Sequence, residues 1–256
     1  MDRPALDRWT LLGEQKDDLL GLSEVERYGS ENYGDPDYVS LYGLRPADWY
    51  AQGIRIAGRT AVESTRDLLA DLIGRDIAAL ARRSAADCVP LVVDLFAGSA
   101  NTLYWISRHV TADRTVGFER DDTVFTLTSA NLPLVGAEVD LIHESYETGL
   151  PALNLRDGGL VVLFAAPPWG RALNEESGLD LRGTKPPIAD VLRFCFQTLG
   201  SRPMLFAVQV ADRIEQDSLA EVAALLEWSA LRMYDINAPG HQAGVLLGTA
   251  GWSPDA

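Results

Sequence analysis

A doubly wound α/β fold with a mainly parallel sheet of seven strands is what this chain of 256 residues predicts, on three observations. From residue 87 onward, short apolar runs alternate with helical patterns, the alternation that builds parallel sheets. Two of the runs, Leu91-Val92-Val93 and Leu160-Val161-Val162-Leu163-Phe164, are apolar without interruption, as strands covered on both faces are. The last two runs flank Pro239-Gly240, a turn pair that suits a terminal antiparallel hairpin.

Taken in order, residues 1–45 are polar and loop-rich, with Tyr28, Tyr33, Tyr38 and Tyr42 threaded among Gly, Asp, Ser and Pro and no clear period. Aromatic side chains need a surface to cover, so this segment reads as an irregular cap on the main domain. From Pro46 the pattern turns helical. Over 65–81, Leu68, Leu69, Leu72, Ile73, Ile77 and Leu80 share one stripe, which predicts an amphipathic helix lying on one face of a sheet. Residues 1–86 therefore read as an N-terminal extension of helices and loops, and 87–256 as the α/β domain. Within it the pattern predicts strand 89–96, helix 101–110, strand 115–119, helix 122–135 and strand 139–143. Strand 160–165, a helix near 188–199, strand 204–210, helix 218–228 and the hairpin of 231–237 with 244–249 follow.

Acidic residues number 37 against 22 basic ones, and Lys16 and Lys185 are the two lysines, giving a net charge of −15. Such a surface argues against long nucleic acid as a partner. Screening acts over roughly 8 Å, so a local arginine patch can still hold a single phosphate. Cys88 and Cys195 are too few for a disulfide framework or a zinc site and read as buried free thiols, with no metal expected. No apolar run reaches the roughly 18 residues of a membrane span, which predicts a soluble, cytoplasmic protein.

In doubly wound sheets ligands bind outside the carboxyl ends of the strands. The first strand runs into Asp94-Leu95-Phe96-Ala97-Gly98-Ser99-Ala100-Asn101, where small residues let a ligand approach the backbone and the following helix offers its free N–H groups. The second strand ends at Glu119, followed by Arg120, about twenty residues after the glycine turn. A carboxylate there can accept hydrogen bonds from both hydroxyls of an adenosine ribose. An acid in that place can equally cap the next helix, as Asp121 and Asp122 also can. The fourth strand ends in Ala165-Ala166-Pro167-Pro168-Trp169-Gly170. Two prolines offer no N–H and force the chain out of the sheet, so Trp169 becomes either a flat stacking surface or a plug for the core.

This last run resembles the (Asp/Asn/Ser)-Pro-Pro-(Tyr/Phe/Trp) motif of amino-group methyltransferases, and Pro167-Pro168-Trp169-Gly170 is most similar to the trimethylguanosine synthase group of cap guanine methyltransferases. The segments 94–101 and Glu119 resemble that family's first two cofactor motifs, and Asp48-Trp49-Tyr50-Ala51-Gln52 resembles its segment preceding the fold. The resemblance spans roughly Trp49 to the C-terminus, with Pro-Pro-Trp its most specific part. It implies a Rossmann-like methyltransferase fold and S-adenosylmethionine as cofactor, with S-adenosylhomocysteine as product. Asp94, Phe96, Ala97, Gly98, Asn101, Glu119 and Arg120 would then surround the cofactor, and Ala166, Pro167, Pro168 and Trp169 would form the catalytic turn. Methyl transfer in such a site is direct displacement by an aligned amine.

Two departures stand out. Ala166 occupies the position where the family has an oxygen that accepts a hydrogen bond from the attacking amine. Glu144-Ser145-Tyr146 stands where Gly-Asp-Phe is usual, so Ser145 and Tyr146 replace the carboxylate expected near the adenine amine. The leading expectation is methyl transfer to an amine of a small metabolite or nucleotide-like acceptor. One alternative is the same fold repurposed for another displacement in small-molecule biosynthesis, such as intramolecular attack by an amine that closes an aziridine-type ring. The other is a non-catalytic methyltransferase-like subunit supporting a partner, or a homo-oligomer. His143 at a strand tip is a candidate general base beside Glu144, while His109 and His241 read as structural. Arg171, Arg182 and Lys185 follow the Pro-Pro-Trp turn and could hold a substrate phosphate or sulfate, or simply be solvated.

Overall fold

The computed structural model describes residues 6–84, 89–156, 158–174, 176–236 and 243–255. The N-terminal segment holds helices α1 (Arg8–Leu12), α2 (Leu22–Tyr33), α3 (Pro46–Ala51), α4 (Gly58–Glu63) and α5 (Asp67–Ala81). The alternation then runs β1 (Leu91–Asp94), α6 (Asn101–His109), β2 (Arg114–Phe118), α7 (Asp122–Asn131), β3 (Asp140–Ile142), α8 (Tyr146–Ala152) and β4 (Val161–Ala165). A small hairpin, β5 (Leu173–Asn174) with β6 (Gly178–Leu179), precedes α9 (Ile188–Leu199), β7 (Met204–Ala211), α10 (Gln216–Ala223), β8 (Trp228–Tyr234) and β9 (Ala243–Ala250).

Seven strands form one sheet in the order β3-β2-β1-β4-β7-β9-β8. The first five pair in parallel, and β9 runs antiparallel to both β7 and β8. The uninterrupted apolar runs have the expected cause. Along β1, Val92 packs into one core and Val93 into the other; along β4, Val162 and Phe164 face the first core while Val161 and Leu163 face the second. The first core takes the stripe of α5 through Leu69, Ile73 and Ile77, and the second takes Val191, Leu192 and Cys195 of α9.

The first core also takes the N-terminal segment. Leu11, Val25, Tyr28, Leu41 and Trp49 are fully buried in the same cluster as Val92 and Val162. The segment is thus packed as expected but is less irregular than its sequence suggests. Its α2 starts with a reciprocal cap, in which Glu24 Oε2 accepts from Gly21 N at 2.8 Å, and ends at Gly34 in the left-handed region. The helix buries only Val25, Tyr28 and Gly29, too narrow a face to register as a period.

Three expected elements end elsewhere. The helix expected over 122–135 stops at Asn131, because Pro133 has no N–H to continue it, and a 3-10 turn (Leu132–Val135) follows. The helix expected over 218–228 stops at Ala223. Leu226 folds over Gly248 of β9, which kept the apolar spacing going past the helix, and Trp228 already opens β8. The second strand of the hairpin is β9 as expected, while its first strand begins three residues early and ends at Tyr234. Asn237, the Pro239-Gly240 turn, His241 and Cys88 lie outside the described residues. Cys195 is a buried free thiol whose pKa burial pushes up to about 12. Among the described residues no helix is long and apolar enough to cross a membrane.

Candidate active site

The chain leaves β1 to build β2 and β3 on one side, then returns to build β4 and β7 on the other, so strand order reverses between β1 and β4. Asp94 pairs in register with both Gly117 and Phe164, which brings the tips of β1, β2 and β4 to one edge. A cavity of about 530 Å³ opens there. Every residue expected in the site lines it: Asp94, Phe96, Ala97, Gly98, Asn101, Glu119 and Arg120; Ser145 and Tyr146; Ala166, Pro167, Pro168 and Trp169.

The turn after β1 is held by its neighbours in β2 and α7. Ala97 N donates to Phe118 O at 2.9 Å and Thr128 Oγ1 donates to Gly98 O at 2.8 Å. Gly98 sits at φ +52°, which glycine adopts without steric cost, and Ala100 at φ +55°, which alanine does not. The carboxylate of Glu119 reaches back to this turn, accepting from Gly98 N at 2.9 Å and from Asp121 N at 2.7 Å. Asp121, not Glu119, caps α7, accepting from Thr123 N and Val124 N at 3.1 and 3.0 Å. Glu119 is thereby free of the helix and fixed at the rim of the cavity.

Asp94 is 1% exposed. Burial pushes its pKa up to about 7 against the N–H bond donated by Phe96, and the nearby charge of Glu119 adds to the rise. Beyond it, Phe96 packs against Tyr146 with ring centroids 5.1 Å apart, and Tyr146 against Phe194 of α9 at 5.4 Å. Tyr146 also opens α8, so a flat apolar wall stands where the third strand hands over to its helix. Burial raises the Tyr146 pKa, which keeps the phenol protonated.

Pro167 is buried and Trp169 half-buried. The indole does both things its sequence allowed: it packs on the second core and lines the cavity.

The N-terminal segment supplies residues that no motif announced. Arg59, Glu63, Ser64, Thr65 and Arg66 line the cavity, as do Gln209 and Asp212 at the end of β7. Arg59 lies beside the β2 tip, donating to Asp121 Oδ2 at 2.8 Å and Glu63 Oε2 at 3.1 Å. Asn101 faces the same segment: its Oδ1 accepts from Tyr42 N at 2.7 Å and its Nδ2 donates to Thr65 O at 2.7 Å and Asp67 Oδ1 at 3.1 Å. Tyr42, itself at φ +57°, donates its hydroxyl to Ser99 O. These contacts join residues 34 to 59 positions apart, and a polar residue's partner at that range leaves no local pattern to read.

Other candidates fall away from the site. His143 pairs with Asp122 at 3.0 Å and stacks on Phe125, and is not among the residues lining the cavity. His109 pairs with Asp71 at 2.6 Å between α5 and α6. Arg182 is held by Asp180 and Glu215, both at 2.9 Å, and Arg171 is exposed outside the cavity. Lys185 does line it.

By sequence, no family model matches the chain and no curated protein matches it. By structure, it is similar to the METTL16 methyltransferase domain, with a TM-score of 0.52 at 10% identity over 75% of this chain and 72% of that one. It is equally similar to spermidine synthase from Thermotoga maritima, with a TM-score of 0.52 at 9% identity over 78% of this chain and 66% of that one. At such identities the likeness shows the fold, which is the Rossmann-like methyltransferase fold.

Proposed function

We propose that this chain is an S-adenosylmethionine-dependent enzyme that transfers a methyl group to an amine of a small or nucleotide-like metabolite in the cytoplasm. The observation that carries the reading is the convergence of both cofactor motifs and the Pro-Pro-Trp turn on one cavity at the carboxyl edge of the sheet. The residues fit the cofactor: a rim carboxylate at Glu119 for ribose hydroxyls, the aromatic wall of Phe96 and Tyr146 for adenine, and the buried acid Asp94 beneath the glycine turn for a cationic tail. When bound, S-adenosylmethionine supplies an electrophilic methyl on a positively charged sulfur.

The protein's part is alignment. Trp169 offers a face for a planar acceptor, and the two prolines fix that face relative to β4. With Ala166 at the head of the turn, orientation of the amine falls to backbone carbonyls, which accept a hydrogen bond without a side chain. The displaced proton leaves toward solvent or Asp212, an exposed acid on the cavity wall. Incubation with S-adenosylmethionine and a panel of aromatic and aliphatic amines should yield S-adenosylhomocysteine, and Trp169→Ala should slow its formation by about tenfold.

Ala166 favours one second reading, in which the fold aligns an amine for another displacement, such as an intramolecular ring closure on the acceptor. The likeness to a synthase beside a methyltransferase is consistent with it. An amine product formed without S-adenosylhomocysteine would select this second reading.

A further inference from the structure

In a chain with 37 acidic residues against 22 basic ones, a cation readily finds a carboxylate, and most of the arginines that pair here do so on the surface. Four cations that line the cavity do not. Arg8, Arg66, Arg120 and Lys185 make no ion pair among the described residues, whereas Arg59 is neutralised by Glu63 and Asp121. Arg120 follows Glu119 at the tip of β2, and Arg8 and Arg66 belong to the N-terminal segment.

The surroundings of the two arginines are built. The Arg66 guanidinium lies over the ring of Tyr38, 4.9 Å from its centroid, and spends one N–H on Ile236 O at 3.1 Å. Tyr38 stacks on Tyr33 with centroids 3.5 Å apart and planes 5° from parallel. Tyr33 meets the hydroxyl of Tyr28 at 3.3 Å, and the charge of Arg8 is felt by that same Tyr28. Arg8 keeps its Nε shut off from solvent with no hydrogen-bond partner. A buried donor atom without a partner is uncommon in a native fold, and an ion or water is one of its standard explanations.

From this geometry we infer that the half of the cavity walled by the N-terminal segment is an oxyanion subsite, in which Arg8, Arg66 and Lys185 receive a carboxylate or phosphate carried by the acceptor. The inference deepens the proposed function and rests on it for the word acceptor. Of the two alternatives for the cations after the Pro-Pro-Trp turn, Arg171 and Arg182 take the solvated one, and Lys185 alone of that set lines the cavity. The net charge of −15 fits a small ligand better than a polymer: the overall field repels a long polyanion, while one anionic group in contact with a lining cation lies within a screening length of it. The Tyr33–Tyr38 pair beside it gives the wall an apolar flank, so a ring bearing the oxyanion and an amine fits both the flank and Trp169.

The test is calorimetric titration of the full chain with inorganic phosphate and with benzoate, each with and without S-adenosylhomocysteine present. The wild type should bind at least one of the two. Arg8→Gln, Arg66→Gln and Lys185→Gln should each weaken that binding by about tenfold, the order expected for a lost charge-assisted hydrogen bond. Their affinity for S-adenosylhomocysteine should be unchanged, which also shows that the variants fold. Arg45→Gln, at an exposed arginine outside the cavity, should leave anion binding intact. Phosphate bound in preference to benzoate assigns a phosphorylated acceptor, and the reverse assigns a ring carboxylate. Absence of binding to both anions, or equal weakening by Arg45→Gln, overturns the subsite. Anion binding with no affinity for S-adenosylhomocysteine in the wild type would instead overturn the methyl-transfer reading while leaving the anion site standing.

Discussion

Asp94 is the residue at which this fold and the proposed cofactor work against each other. A carboxyl whose pKa rises from 3.8 to about 7 on folding favours its protonated form, so its contribution to stability is complete below the unfolded pKa and is lost as pH rises through about 7. Asp94→Asn should therefore melt at a temperature that depends less on pH between 4 and 7 than the wild type does, and should gain most relative to it above pH 7. Parallel melting profiles would show that Asp94 titrates normally. A ligand that brings positive charge to Asp94 reverses the preference, which couples its binding to proton release below pH 7. Trp169 behaves differently because it is half-buried and packs on a core that is complete without it. Trp169→Ala should raise the acceptor KM or lower turnover by about tenfold, the equivalent of about 1.4 kcal/mol of lost stacking, with S-adenosylhomocysteine affinity unchanged. A fall in cofactor affinity of the same size would make the indole part of the cofactor site instead.

Elements were legible where burial imposed a period and illegible where it did not. The strands β1, β2, β4 and β7 could be read because each is buried on both faces, and α5 because Leu69, Ile73, Ile77 and Leu80 of its stripe are buried although Leu68 is exposed. The strand β3, with Asp140 exposed and Leu141 and Ile142 half-buried, was read from its place in the alternation. By contrast, α8 escaped notice. It has seven residues, contains Pro151, and is held on β2 by the close approach of Gly149 to Phe118, which leaves no apolar stripe. A Cβ at position 149 would run into the Phe118 ring. Gly149→Ala should destabilise the fold by about 1–3 kcal/mol, as overpacking does, and should also weaken S-adenosylhomocysteine binding, because α8 carries Ser145 and Tyr146 to the cavity. Urea unfolding and calorimetry on the same variant check both. Phe118→Leu in the Gly149→Ala background should recover part of each; no recovery would place the damage elsewhere.

At the scale of the whole molecule, the N-terminal segment and the sheet form one object, joined by a shared core and by the Tyr42, Asn101 and Thr65 contacts beneath the turn after β1. A chain beginning at Pro46 would lose Leu11, Val25, Tyr28 and Leu41, all fully buried, and leave their partners on α5 and the sheet exposed. Each such side chain accounts for about 1.5–3 kcal/mol of burial, so the shortened chain should show no cooperative melt and no cofactor binding. A cooperative, ligand-binding fragment would make the segment an accessory. The same interdependence explains what the sequence left unread in the site. The motif residues on strand tips announced themselves by spacing, whereas Arg59, Arg66, Arg8 and Gln209 reach the cavity only through tertiary packing. The most direct test of the whole reading is calorimetric titration with S-adenosylhomocysteine of the wild type and of Glu119→Ala. The account predicts micromolar binding to the wild type and a loss of about 1.5–3 kcal/mol in the variant, the worth of hydrogen bonds to a charged acceptor. Failure of the wild type to bind, or equal binding by the variant, would contradict it.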